Sequence, residues 1–197
     1  MNRKILALAV PSIVANVTTP LLGLIDTAIV GHMGDAAYIG AIAVGGVMFN
    51  MLYWLFSFLR AGTSGLSAQA YGASDRDESA LVLYRSLLVA LCAGVGMVLL
   101  QWPVLWLLRA FVDPDPVTGA LASDYFAILI YGAPAVLGTY ALSGWFLGMQ
   151  NSRMLMVTSI VINLSNIAVS LLLVYGLGWK IPGVAVGTLV CLLYTSP

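Results

Sequence analysis

The sequence has little charge and few of the side chains that bind metals or form disulfides. Only 8% of its 197 residues are charged and 61% are hydrophobic, whereas soluble domains carry about a quarter charged residues. One histidine and two cysteines exclude a multi-histidine metal site and a disulfide framework. The formal net charge of zero gives no reason to expect a nucleic-acid partner. We therefore expect neither a bound metal nor an organic cofactor.

Long apolar runs take the place of charge, and they predict an all-α, polytopic transmembrane helix bundle in a lipid bilayer. The predicted spans cover residues 5–30, 39–59, 81–108, 124–149, 154–177 and, incompletely, 183–194. Residues 60–80 are interpreted as a polar connector between the second and third spans. The sixth segment is too short to cross a bilayer. We therefore expect residues 1–197 to form a single transmembrane lobe that is truncated inside its sixth helix.

The basic residues predict an orientation. With a cytoplasmic N-terminus, six of them lie on the inner side and two on the outer side, which obeys the positive-inside rule. The inner set is Arg3, Lys4, Arg60, Arg76, Arg85 and Arg153, and the outer set is Arg109 and Lys180. The apolar run that follows Lys4 is too long for a signal peptide, so we expect the first span to be retained. The predicted location is the inner (plasma) membrane of the cell.

The first span combines a polar face with a charge. Asn16, Thr19 and Asp26 recur at helical spacing and so share one face. An ionisable residue inside a membrane span is costly and by default marks a functional site. Pro11 and Pro20 interrupt the same span and are predicted hinges. Alternatively, Asp26 lies close enough to the end of the helix to be an interfacial residue wetted from outside.

The fifth span carries a second polar face. Its amides and hydroxyls are spaced four, three and four residues apart, at Ser159, Asn163, Asn166 and Ser170. Such a stripe can hydrogen-bond a substrate or a chain of water molecules. It can equally hold neighbouring helices together, at about 0.6 kcal/mol for each polar contact. Because Asp26 occurs in the same chain, the stripe favours a cavity.

The second and fourth spans supply further candidates, namely Asn50 and the pair Tyr131 and Tyr140. Pro134 lies between the two tyrosines and frees a backbone carbonyl near the middle of the membrane. It is either a hinge that rearranges during function or a static bend. The full set of predicted cavity-lining residues is Asn16, Thr19, Asn50, Tyr131, Tyr140, Asn163 and Ser170.

Small residues predict where helices approach closely. Ala41 with Gly45 and Gly144 with Gly148 each form a small-xxx-small pair, a pattern that lets another backbone come near.

One short motif is typical of an enzyme, but the catalytic base that it needs is missing from its surroundings. Residues 62–65, GTSG, match the GxSG motif of intramembrane serine proteases. The serine would need a base within hydrogen-bond reach. The single histidine, His32, is predicted at the opposite membrane surface, across about 30 Å of hydrocarbon. We therefore expect no enzymatic activity.

Several stretches, in order along the chain, resemble the multidrug and toxic compound extrusion (MATE) transporters. They are PLLGLIDTAIVGHMG, FLRAGTSGLSAQAYGA, ALSGWFLGMQNSRMLM and NLSNIAVSLLLVYGLGWKIPGVAVGT. The combination is most similar to the DinF-like branch. The resemblance implies twelve helices in two lobes, which export small amphipathic or cationic organic substrates in exchange for inward H⁺ or Na⁺. This chain would be the first lobe, and its partner would be the missing C-terminal lobe.

The resemblance also implies roles for individual residues. Asp26 matches an aspartate implicated in cation coupling, and Asn166 matches an asparagine beside it. Many members carry a second aspartate where this chain has Ser170, so the departure favours coupling to H⁺ over Na⁺. The alternatives are a flippase for lipid-linked or amphipathic substrates and a non-transporting membrane scaffold or subunit.

Overall fold

The computed structural model describes residues 36–176 together with residues 13, 186, 188 and 189. Within these residues the chain is all-helical and contains no strand. The helices are α1 (Ala36–Leu55), α2 (Ser57–Gly72), α3 (Arg76–Leu99), α4 (Gln101–Val112), α5 (Pro116–Leu129), α6 (Ala133–Gly148) and α7 (Ser152–Leu171). A 3₁₀ turn, Ile130–Gly132, joins α5 to α6, and a π turn, Leu172–Gly176, follows α7.

Four helical stretches in the described residues are long and apolar enough to cross a membrane. They are Ile39–Gly72, Arg76–Leu99, Pro116–Gly148 and Ser152–Val174. The predicted class, a polytopic bundle of apolar helices, is therefore confirmed. The predicted spans 5–30 and 183–194 lie outside the described residues, apart from isolated helical positions.

The predicted connector at residues 60–80 is wrong over most of its length. Helix α2 continues to Gly72, and only residues 73–75 separate it from α3. Thr63 and Ser67 in this segment are buried. The Thr63 hydroxyl donates to the Leu59 carbonyl at 2.7 Å and also contacts the Ser86 hydroxyl of α3 at 3.0 Å. Packing against α3 therefore offsets the low helix propensity of a glycine- and serine-rich stretch.

Prolines explain why two of the predicted spans are divided. A proline inside a helix clashes with the carbonyl four residues before it. Continuous helices would set Pro103 against the Leu99 carbonyl and Pro134 against the Ile130 carbonyl. Instead α3 ends at Leu99, and the 3₁₀ turn begins at Ile130. Both prolines thus lie in the first turn of a new helix, where the missing N–H needs no partner.

Side-chain caps fix the starts of three helices. The Asp75 carboxylate accepts from the Glu78 N–H at the start of α3, and Asp115 does the same for Thr118 at the start of α5. The Asn151 side-chain oxygen accepts from the Met154 N–H at the start of α7. Each cap satisfies an N–H that has no partner within its own helix.

The core lies between two groups of packed helices. Helix α6 packs against α2 and α3, and α1 packs against α5. The largest fully buried apolar side chains are Phe126, Met48, Ile130 and Leu137. The Phe126 ring stacks on Phe49 with ring centroids 4.8 Å apart, which ties α5 to α1.

The predicted Gly144–Gly148 pair makes the close approach expected of it. A Cβ added to Gly144 would lie 2.5 Å from the Arg60 carbonyl oxygen, and one added to Gly148 would lie 2.6 Å from the Ser64 carbonyl oxygen. The backbones of α6 and α2 therefore touch. Gly45 of the other pair faces the Tyr125 ring instead of a backbone.

In three turns a residue other than glycine adopts the left-handed backbone conformation. They are Ser74 (φ 58°), Asp113 (φ 42°) and Gln150 (φ 57°). Each follows the end of a helix, at the position where glycine is usually found.

Candidate functional site

A cavity of about 530 Å³ opens where α1 meets α2 and faces α6. Its lining contains Asn50, Tyr53, Ser57 and Tyr140, together with Met51 and Trp54. The structure thus brings together Asn50 and Tyr140, which the sequence predicted separately. Tyr53 and Trp54 were missed, because their apolar run has no proline such as the Pro134 that marked Tyr140, and an aromatic residue alone does not separate a cavity wall from a lipid contact.

Aromatic stacking holds the wall of this cavity in place. The Tyr53 ring stacks on Phe49 at 5.5 Å and meets the Tyr140 ring edge-on at 6.5 Å. Phe49 is anchored in turn by the buried Phe126 ring. The Arg60 guanidinium interacts electrostatically with Tyr140. Aromatic faces with a few polar groups are typical of sites for small organic molecules.

Helix α7 presents a buried polar face. Asn163, Asn166 and Ser170 are all buried, and Asn166 is only 1% exposed. The Ser170 hydroxyl donates to the Asn166 Oδ1 at 3.4 Å. The Asn163 Nδ2 has no hydrogen-bond partner in the described structure. Because all three side chains are buried, this face is directed into the protein and away from lipid. A buried amide with an unmade hydrogen bond costs free energy.

The remaining predicted residues lie elsewhere. Tyr131 is 52% exposed and lies in the 3₁₀ turn, so it does not line the Asn50 cavity. Pro134 is in the first turn of α6, and a Cβ on Gly94 of α3 would lie 2.6 Å from its nitrogen. Five residues predicted in the first span lie outside the described residues, namely Pro11, Asn16, Thr19, Pro20 and Asp26. The approach of Asp26 to α7 therefore stays a prediction.

A comparison with protein families decides the class of this chain. The MatE family model matches residues 11–172. The chain belongs to the MatE family.

Curated relatives agree with the assignment. DNA damage-inducible protein F of Escherichia coli is 39% identical over 183 residues, which are 93% of this chain and 40% of that protein. The probable multidrug resistance protein NorM of Neisseria meningitidis is 28% identical over 88% of this chain and 38% of its own length. The chain thus spans about 40% of the length of the relatives it matches. The predicted family and DinF-like relationship are confirmed, and these MatE relatives are transporters, not enzymes.

Solved structures support the fold. A MOP superfamily transporter from Pyrococcus furiosus matches with a TM-score of 0.88 at 24% identity, over 98% of this chain and 42% of its own. A crystal structure of MATE in the bent conformation matches with the same TM-score and identity, over 99% of this chain and 43% of its own. At this identity the likeness establishes the helical fold alone.

Proposed function

We propose that this chain is the N-terminal lobe of a secondary active transporter that exports small amphipathic or cationic organic compounds by cation antiport. The observation that carries the proposal is the buried polar face of α7, where Asn163, Asn166 and Ser170 share one side of an apolar span. Polar side chains that face the interior of a membrane protein commonly line a pathway or binding site for ions or polar substrates. The names of relatives such as the NorM protein support the same class.

Asp26 and Asn166 are the proposed coupling pair. Asn166 accepts a hydrogen bond from Ser170 through its Oδ1, so its amide nitrogen is the group that can donate to a carboxylate. Proton uptake by Asp26 would weaken that interaction and let the first span bend at Pro11 and Pro20. Each proton that moves down a potential of 100 mV supplies about 2.3 kcal/mol. This energy would drive the change in cavity shape that releases the substrate.

H⁺ is the favoured coupling ion. Ser170 offers a neutral hydroxyl, already paired with Asn166, where a second carboxylate would be expected to help hold Na⁺. A single carboxylate can carry a proton without further ligands. The inner membrane, with a cytoplasmic N-terminus, is the location that this exchange requires, since the proton gradient across it is directed inward.

The cavity at Asn50 and Tyr140 is the proposed contact for the substrate. Its stacked aromatic wall suits flat, partly apolar molecules. Pro134 is packed tightly against Gly94, which favours a static bend over a hinge at this position. Movement is therefore assigned to the prolines of the first span.

Transport in everted membrane vesicles tests the proposal, with protein translated from the complete native reading frame. An imposed proton gradient should drive uptake of a fluorescent amphipathic dye. We expect Asp26→Asn to abolish this uptake and Asn166→Leu to reduce it strongly, because both remove the coupling interaction. Cys92→Ala, on an exposed position of α3, is the control and should transport normally.

Three outcomes would contradict the proposal. Proton-driven uptake that survives in Asp26→Asn would remove Asp26 from the mechanism. Transport of a lipid-linked reporter without any dye uptake would point to a flippase. A protein that shows no ion dependence at all would support a scaffold role.

A further inference from the structure

A second and larger cavity lies at the end of the bundle where α2, α3 and α6 meet. Its volume is about 960 Å³, and its lining includes Tyr71, Asp75, Arg76, Tyr84 and Trp145. None of these residues belongs to the Asn50 cavity or to the polar face of α7. The cavity therefore needs an explanation of its own.

The charge pattern places this cavity at the boundary of the bilayer. The sequence has no charged residue between Arg60 and Asp75, and residues 75–78 are then all charged. Apart from Arg85, which pairs with Glu78, helix α3 carries no further charge, and it exposes apolar side chains such as Leu81 and Leu88. Tyrosine and tryptophan are enriched at the same level of a membrane, among the lipid headgroups.

Hydrogen bonds fix the walls of the cavity. The Trp145 Nε1 donates to the Ser79 carbonyl at 3.0 Å and lies 3.2 Å from the Ser79 hydroxyl, which contacts the Met149 sulfur at 3.1 Å. Asp75 is held by its cap on the Glu78 N–H at 3.0 Å. The polar end of the cavity is therefore formed before any ligand enters.

An apolar groove continues from the cavity along α3. It has a volume of about 330 Å³ and is lined by Leu81, Tyr84, Arg85, Leu88 and Val89. Tyr84 lines both the cavity and the groove and is 77% exposed. A cavity with a charged end that leads into an apolar groove on a lipid-facing helix matches the division of a phospholipid into headgroup and acyl chain.

The charges select the kind of headgroup. Asp75 and Arg76 are adjacent and both line the cavity. Arg85 is paired with Glu78 at 3.6 Å, so the described residues that line the cavity and groove carry no excess of positive charge with which to attract an anionic lipid. A zwitterionic headgroup matches this pair, because its phosphate can accept from Arg76 while its ammonium donates to Asp75.

We propose that the cavity and groove form a binding site for a phospholipid with a phosphoethanolamine headgroup, with Arg76 on the phosphate, Asp75 on the ammonium and an acyl chain along α3. A primary ammonium is favoured over choline because it can donate hydrogen bonds to the carboxylate. This inference does not rest on the proposed transport function, since lipid binding is measured without a substrate or an ion gradient.

Native mass spectrometry of the detergent-purified, full native protein tests the site. Phosphatidylethanolamine, phosphatidylcholine and phosphatidylglycerol with identical acyl chains are offered in equal amounts. We expect the ethanolamine lipid to be retained in preference to the other two. Arg76→Gln and Asp75→Asn should each reduce its retention about tenfold or more, as expected when one charge-assisted hydrogen bond is lost.

The variants are chosen so that folding is preserved. Asparagine caps a helix as well as aspartate does, so Asp75→Asn removes the charge but keeps the start of α3. Arg76 is exposed. Arg153→Gln, at an exposed position at the start of α7 and outside the cavity, is the matched control and should bind like the wild type. Equal retention of the three lipids, or an equal loss in the control, would overturn the proposal.

Discussion

At the scale of single residues, two glycines of α3 occupy opposite environments only two positions apart. A Cβ on Gly94 would lie 2.6 Å from the Pro134 nitrogen, whereas a Cβ on Gly96 would meet nothing within 4 Å. Backbone cannot move aside as a flexible side chain can. The contact between α3 and the start of α6 therefore depends on the missing side chain at Gly94.

We predict that Gly94→Ala lowers the free energy of unfolding by about 1–3 kcal/mol, the usual cost of overpacking. Gly96→Ala should be neutral or stabilising by up to about 1 kcal/mol, because alanine is the better helix former. Thermal unfolding of both variants in the same detergent compares them directly. Equal melting temperatures for the two would contradict the close approach of α3 and Pro134.

At the scale of helices, the contact between α6 and α2 is made by backbone. A Cβ on Gly148 would lie 2.6 Å from both the Ser64 carbonyl oxygen and the Ser67 Cβ. Without a hydrophobic driving force between helices in lipid, such close packing is a main source of their association.

We predict that Gly148→Val separates the two helices and largely abolishes folded protein, seen as loss of the monodisperse peak in size-exclusion chromatography. Gly65→Val on α2 is the matched control, because a Cβ there meets nothing within 4 Å. It should be neutral or slightly stabilising, because valine, although β-branched, is a better helix former than glycine. A normal elution profile for Gly148→Val would show that the helices can part without loss of the fold.

The same helices show what a sequence can predict. Apolar runs predicted the second to fifth spans, and the GxxxG pattern predicted the close contact at Gly144 and Gly148. The helical state of α2 could not be predicted, because the Thr63 hydroxyl finds its partner on Ser86, 23 residues further along the chain. Asn50 and Tyr140 could be singled out from the sequence, one as an amide in an apolar run and the other by its place near Pro134, whereas Tyr53 lies in an apolar run without such a marker. Their role as contacts for a substrate stays a prediction.

At the scale of the whole molecule, the orientation in the membrane decides on which side each turn between helices lies. The α2–α3 turn contains Ser74, and the α4–α5 turn contains Asp115. With the N-terminus in the cytoplasm, the first turn lies inside and the second outside.

We predict that a cysteine at position 115 reacts with an impermeant thiol reagent in intact cells, whereas a cysteine at position 74 reacts only after the membrane is opened. The two substitutions are Asp115→Cys and Ser74→Cys, in a background where Cys92 and Cys191 are alanine. Mass-tagging of the labelled protein gives the readout. The reverse pattern would invert the proposed orientation.

The three left-handed turns at Ser74, Asp113 and Gln150 have a consequence for how the protein can change. The left-handed conformation destabilises the fold by about 1–2 kcal/mol when the residue has a side chain. Glycine removes this cost, but it also has more conformational entropy in the unfolded chain, which offsets part of the gain. New side chains in a binding cavity often weaken a fold. Glycine at these turns, which lie away from the Asn50 cavity, would raise the stability of the fold. Substitutions there can therefore compensate for destabilising changes in the side chains that line a cavity.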